Sequence, residues 1–219
     1  MSQSSQPGAE PSKRAQDFAA VRDWPGYFRA VLGKGPRETL LAALDAFERE
    51  GKPPADAVDL ACGEGRDSLE LLRRGWRVHA LDGSAEGLAH LVPRVLPEWR
   101  PRLRAEVATF DQMRWAKRGP VRLVNCSFSL PFCEPRHFDT VWERIVDSIE
   151  PGGRFAGQLF GDRDTWAAIP DRSHHAEPQA RALLAPFEVE MFKVEEKDDA
   201  DAFGVAKHWH VYHIVARKR

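Results

Sequence analysis

Two glycines one residue apart, Gly63 and Gly65, follow the apolar run that ends at Leu60, and the acids Asp59, Glu64 and Asp67 stand around them. A G-x-G step at the exit of a buried strand allows a tight turn and lets a ligand touch the main chain, where a side chain would stand in the way. Further on, Asp82 closes a second apolar run; an acid there can accept hydrogen bonds from both hydroxyls of a vicinal diol such as a ribose. A nucleoside-containing ligand follows from these residues. A separate group lies in "KHWHVYH", where His208 and His210 share one face of a strand with Tyr212. Such a pair can face a substrate, sit as partly exposed sheet histidines, or ligate a metal. No cysteine or carboxylate lies close by in sequence, so the metal reading is the weakest and no metal is expected.

Two nucleoside classes compete for the glycine turn. A dinucleotide calls for G-x-G-x-x-G with its pyrophosphate on the helix N-terminus, but Ser68 holds the third glycine position, and Glu64 and Asp67 place carboxylates where phosphates would lie. S-adenosylmethionine carries no phosphate and brings a sulfonium and an ammonium group, so the same carboxylates meet it without that penalty. Asp67 has a plainer alternative, a first-turn acid that favours the helix dipole.

These residues need a scaffold, and the hydrophobic pattern supplies one. Leu40, Leu41, Leu44 and Phe47 recur at helical spacing between Pro36 and Glu50, with Gly51, Pro53 and Pro54 as the stop. Strand one leads into the turn, and Leu69, Leu71 and Leu72 mark a short helix. "WRVHALD" alternates as a second strand, and Ala85 to Leu96 reads as a helix broken at Pro93. Leu103 to Asp111 and Val121 to Phe128 read as strands three and four. Phe138, Val141, Trp142, Ile145 and Ile149 trace one face of a helix, which Pro151-Gly152-Gly153 is expected to end. A fifth strand runs from Arg154 to Phe160, and a helix from Glu177 to Leu184. Phe187 to Glu196 and Lys207 to Arg217 then form a hairpin around the polar turn "KDDADAFG". His174-His175 falls in a Pro- and charge-rich loop and reads as solvated. Strands alternating with helices predict an α/β fold: a Rossmann-like three-layer sandwich with a seven-stranded, mostly parallel sheet and an antiparallel C-terminal hairpin strand at its edge.

Composition bounds the partners. With 219 residues, 42% of them hydrophobic, the chain suits one domain with a full core. The expected division is a disordered tail over 1–13 and a single domain over 14–219, made of a helical lid (14–54) and a core (55–219). Lys and Arg (32) nearly balance Asp and Glu (33), so no global field holds a polyanion, and nucleic acid is not expected as a partner. No apolar run reaches the ~20 residues of a membrane span, and "MSQSSQPGAEPSK" lacks a signal-peptide core, so a cytoplasmic protein without a membrane partner is expected. Cys62, Cys126 and Cys133 are odd in number and widely spaced, which fits reduced, packed thiols.

Taken in order, "VDLACGEGRDS", "VHALDGS", "ATFDQM", "VRLVNCSFSLPF" and "IEPGGRFAGQLFG" make the chain, from Val58 to Gly161, resemble a class I S-adenosylmethionine-dependent methyltransferase. "GEGRDS" and "RDWPGYF" also resemble the tellurite-resistance and thiopurine methyltransferase branch. The superfamily pattern would place glycine at Ala61, which is small enough for the turn.

The resemblance implies that Asp59, Ala61, Gly63 and Gly65 frame the methionine portion of S-adenosylmethionine. It places Asp82 on the ribose with Gly83 nearby, Asp111 on the adenine amino group with Phe110 or Gln112 against the ring, and the Asn125 carbonyl on the ammonium group. The segment from Arg22 to Leu40 corresponds to a lid, so Tyr27 and Arg37 become candidates for the cofactor carboxylate or the substrate. On the acceptor side stand Asp162, Arg163 and Trp166, with His208 and His210 as further catalytic candidates. The expected activity is in-line methyl transfer to a small molecule or short peptide, releasing S-adenosylhomocysteine. A non-catalytic cofactor-binding subunit and, less favoured, a nicotinamide-dependent oxidoreductase are the alternatives.

Overall fold

The structure, a computed structural model, describes residues 22–112 and 119–219. The expected disordered tail over 1–13 lies outside the described residues. Among the described residues two helices come first: α1 (Trp24–Val31), capped by the Asp23 side chain on the Gly26 N–H, and α2 (Glu38–Arg49). Next come β1 (Asp56–Leu60), α3 (Arg66–Arg73), β2 (Arg77–Asp82), α4 (Ala85–Leu91), β3 (Leu103–Val107), β4 (Val121–Cys126) and α5 (Pro135–Ser148). The chain closes with β5 (Ile149–Gly161), the two-residue β6 (His174–His175), α6 (Glu177–Leu183), β7 (Phe187–Ala200) and β8 (Ala206–Lys218).

The strands form one sheet in the order β3-β2-β1-β4-β5-β8-β7, with β6 pairing the end of β5. Pairing is parallel from β3 to β5, and β8 lies antiparallel between β5 and β7. The C-terminal hairpin therefore closes the edge as expected, with β8 as its antiparallel member and β7 outermost.

Successive strand residues feed opposite layers, as the period of two requires. Val58, Leu60 and Phe155 pack on one face with Phe138, Trp142 and Ile145 of α5. Ala57, Val78, Leu123 and Ala156 pack on the other with Leu40, Leu44 and Phe47 of α2 and Leu71 and Leu72 of α3. That arrangement is the expected three-layer sandwich.

Several expected boundaries move. Pro151-Gly152-Gly153 does not end a helix: α5 stops at Ser148, and the three residues lie inside β5 where its pairing with β4 shifts register. A methyl at Gly153 would lie 2.7 Å from the Arg122 carbonyl oxygen, so close backbone approach explains this glycine. β3 and β4 end at Val107 and Cys126, so Ala108 to Asp111 and Ser127 to Ser129 leave the sheet as loops. β7 continues to Ala200, because the charged run Glu195 to Asp199 pairs with β8 at an exposed edge. His174-His175 is not a solvated loop: it forms β6, with the His174 side chain 7% exposed and the His175 ring 4.5 Å from Phe138. The helix over Ala85 to Leu96 is α up to Leu91 and then a single 3-10 turn through Pro93, where a proline cannot extend the α-helical ladder.

Candidate functional site

The carboxyl ends of β1, β2 and β4, together with α1 and the C-terminal hairpin, enclose a cavity of about 710 Å³. Parallel strands all release their loops on this side, so residues remote in sequence converge here.

At its floor lies the glycine turn. Ala61, Gly63 and Gly65 all have left-handed backbones, with φ of 50°, 56° and 85°. Ala61 thus holds, at a position where the superfamily pattern has glycine, the conformation that glycine adopts most easily. Gly63 donates its N–H to Asp82 Oδ2 at 2.7 Å, and Ser84 N–H donates to Asp82 Oδ1 at 2.7 Å. One carboxylate therefore fixes the turn and the end of β2 together. Burial raises the Asp82 carboxyl above its ordinary value, opposed by these two N–H groups. Gly65 has another task. A methyl there would meet Leu91 Cδ1 at 2.4 Å, so it lets α4 pack against the turn, and it is not among the cavity-lining residues.

Three acids stand beside the turn. Asp59 accepts from Ser68 Oγ at 2.5 Å and from Asn125 Nδ2 at 2.8 Å. Asp67 accepts from the Arg37 N–H (2.9 Å), Asn125 Nδ2 (3.0 Å) and Ser127 Oγ (2.6 Å). It is more than a first-turn acid of α3, since it joins the start of α2 to β4. Glu64 pairs with Arg66 at 3.0 Å. Burial, and then the neighbouring charge of Asp67, raise the Asp59 carboxyl to about 7.

The Asn125 side chain bridges Asp59 and Asp67 from a strand position paired on both sides, to Asp59 in β1 and to Ala156 in β5. Asn125 does not line the cavity; Ser127 and Phe128, just past the end of β4, do. Gly83, expected near the ribose, and Phe110 and Asp111, expected at the adenine, all line the cavity, and Asp111 Oδ1 accepts from Thr109 Oγ1 at 2.6 Å.

Tyr27 and Arg37 both line the cavity, and the Arg37 guanidinium sits 4.3 Å over the Phe128 ring. His208 and His210 do not line it. The exposed His208 ring lies between Asp198 (2.8 Å) and Glu196 (3.3 Å) on β7, and its pKa is raised by Asp198 first. His210 is buried against the Gly161 backbone and accepts from the Arg163 N–H at Nδ1 (3.2 Å), and burial lowers its pKa. Both histidines therefore have structural partners. Of the loop after β5, Trp166 reaches the cavity; Asp162 and Arg163 do not, and Arg163 pairs with Glu196 at 2.6 Å.

His208 and His210 share one face of β8, whereas Trp209, between them, belongs to the opposite face and lines the cavity. Trp24, Phe128 and Phe132 join it from α1 and from the loop after β4. Strand alternation alone could have found Trp209; the loop aromatics carry no comparable local signal. Cys133 also lines the cavity, and burial pushes its thiol up to about 12. Among the described residues, no group of three His, Cys, Asp or Glu side chains is arranged to hold a metal ion.

Residues 57–153 match a family model described as a methyltransferase domain, over nearly the stretch that carries the five motifs. No curated protein matches the chain in sequence. Among solved structures, TehB from Haemophilus influenzae aligns with a TM-score of 0.65 and 17% identity, over 81% of this chain and 62% of that one, so the chain spans less than two thirds of that relative. The 1,6-didemethyltoxoflavin-N1-methyltransferase of Burkholderia thailandensis, solved with 1,6-didemethyltoxoflavin and S-adenosylhomocysteine, aligns with a TM-score of 0.59 and 23% identity over 98% and 93% of the two chains. Magnesium protoporphyrin IX methyltransferase from Synechocystis PCC 6803, solved with S-adenosylmethionine, gives 0.63 and 13% over 98% and 100%. The fold is that of class I methyltransferases, and the resemblance read from the motifs stands.

Proposed function

We propose that the protein is a methyltransferase that uses S-adenosylmethionine and acts on a small molecule or short peptide. The observation that carries this reading is the tie between Gly63 and Asp82 beside Asp59 and Asp67. Asp82 keeps acceptor capacity beyond its two main-chain N–H partners, which suits a ribose diol. A pyrophosphate at the start of α3 would face Asp59, Glu64 and Asp67, whereas a cation there is attracted. The residues thus fit a cationic, phosphate-free nucleoside.

When bound, S-adenosylmethionine supplies an activated methyl group. Gly63, Glu64 and Asp67 would hold its amino-acid portion, Asp82 and Gly83 its ribose, and Phe110 and Asp111 its adenine. Asn125 acts by fixing Asp59 and Asp67 from behind, and Gly65 by seating α4. Tyr27 and Arg37 close the site from the lid. The chain's remaining tasks are to align the acceptor and exclude water, and the aromatic side of the cavity suits both. The continuous space between glycine turn and aromatic wall favours an enzyme over a cofactor-binding subunit.

Three buried, unpaired cysteines support a reducing, cytoplasmic setting. Among the described residues no helix is long and apolar enough to cross a membrane.

Calorimetry tests the reading: S-adenosylhomocysteine should bind and NAD⁺ should not. Tight NAD⁺ binding, or no binding of S-adenosylhomocysteine, would overturn it.

A further inference from the structure

The half of the cavity away from the glycine turn is walled by interlocked rings. Trp24 meets Phe132 edge-on at 4.9 Å, and Phe132 meets Trp166 at 5.8 Å. Trp166 packs on Trp209 at 5.8 Å, and Phe160 touches both, at 6.1 and 5.9 Å. All five line the cavity. They come from α1, the loop after β4, the end of β5 and its following loop, and β8, so the wall is assembled by the fold and not by one local run.

Behind this wall sits a charge. Lys207 is buried, does not line the cavity, and is paired with Asp164. Its Nζ lies 3.7 Å from the Trp166 ring centre and 4.1 Å from that of Trp209. The ammonium lies over one face of each indole and draws its π density toward itself, while both rings also line the cavity. A ring polarised in this way attracts a second cation less and stacks well on a neutral aromatic surface. Anions are disfavoured by a different feature: among the lining residues, Asp and Glu outnumber Lys and Arg ten to five.

From this wall we infer that the methyl acceptor is a neutral, planar aromatic molecule that stacks on one of Trp166 and Trp209 and meets the other edge-on, the two indole planes lying 57° apart. The assignment rests on the methyl-transfer reading of the same cavity and narrows its acceptor: a flexible peptide would leave the ring faces unmatched.

The probes are four compounds of similar size: 2-naphthol, its saturated counterpart decahydro-2-naphthol, the cation N-methylquinolinium and the anion 2-naphthoate. Binding is measured by calorimetry on the full chain, with and without S-adenosylhomocysteine. 2-Naphthol should bind about tenfold more tightly than each of the other three, the scale of one stacked and one edge-on aromatic contact. Trp166→Leu and Trp209→Leu should each reduce the preference for 2-naphthol over decahydro-2-naphthol, while Trp166→Phe, which keeps a ring, should retain most of it. Circular dichroism establishes that the variants are folded. Equal binding of the saturated compound, equal binding of either ion, or a preference that survives both leucine variants would overturn the inference. S-adenosylhomocysteine affinity is read separately: its absence alongside the ring preference would remove the cofactor and leave the aromatic site standing.

Discussion

The Gly63 N–H and the Asp82 Oδ2 atom, 2.7 Å apart, join the exits of two adjacent parallel strands. β1 and β2 pair in register from Asp56 and Arg77 to Leu60 and Leu81, so the turn after one strand is held by the last residue of the other. A carboxylate in this position both shapes the turn and faces the cavity, so its removal has two measurable effects.

Asp82→Ala should weaken S-adenosylhomocysteine binding by about 1.5–3 kcal/mol, the range for hydrogen bonds to a charged group. It should also cost about 1–3 kcal/mol of stability, because the N–H groups of Gly63 and Ser84 lose their acceptor. Calorimetry reads the first and urea denaturation the second. Unchanged affinity in a folded variant would remove the ribose assignment.

Ala61 has φ of 50° without being a glycine. Left-handed backbone costs an alanine about 1–2 kcal/mol, and the added freedom of glycine in the unfolded chain returns about 0.4–1 kcal/mol of that. Ala61→Gly should therefore stabilise the protein modestly, by ~0.5–1 kcal/mol, with cofactor affinity retained. A lower denaturation midpoint would contradict this account of the turn.

Much of this arrangement was legible in the sequence. Strand exits, the glycine turn and Asp82 are local patterns, and α/β alternation carries them into one crevice. The parts that were not legible depend on tertiary placement. Asn125 reads as a strand end, yet it acts through its side chain on two acids from β1 and α3. Gly65 reads as ligand-facing, yet its missing side chain is required by Leu91, from a helix twenty-six positions away. His208 and His210 drew attention by residue type, whereas the cavity takes Trp209 between them. Pro151-Gly152-Gly153 has the composition of a helix stop, but paired strands make it an irregularity in β5.

The Asp59 carboxyl, raised to about 7 by burial and by Asp67, makes stability depend on pH. Its folded pKa lies above the ordinary value of 3.8, so the folded state binds more protons between about pH 4 and 7, and this contribution is lost as pH rises through that window. Asp59→Asn keeps an acceptor for Asn125 and lets the Ser68 hydroxyl turn to accept. The variant should equal or exceed the wild type at pH 8, by on the order of 1–3 kcal/mol, and lose that advantage toward pH 4. Parallel stability curves from pH 4 to 8 would rule out a buried, titrating Asp59.

Lys207 and Asp164 form a pair whose side chains are 2% and 0% exposed, at the back of the aromatic wall. Burial lowers the Lys207 pKa to about 8 against the pull of Asp164. Burial works the other way on Asp164, but His174 and Lys207 outweigh it and hold the carboxyl below its ordinary value. Both groups are therefore charged at neutral pH. Lys207→Met leaves Asp164 with the Trp166 and His210 N–H groups but without its cation, and should cost about 3–5 kcal/mol, the usual cost of breaking a buried pair from one side. Combining it with Asp164→Asn should recover most of that loss. A depressed lysine gives a definite sign: the unfolded chain holds the proton up to about 10.5 and the folded chain only to about 8, so wild-type stability should rise relative to the double variant across that interval. Denaturation curves between pH 7 and 10.5 check this, and a wild type whose stability instead runs parallel to that of the double variant across that interval would mean that Lys207 keeps its proton through the pair.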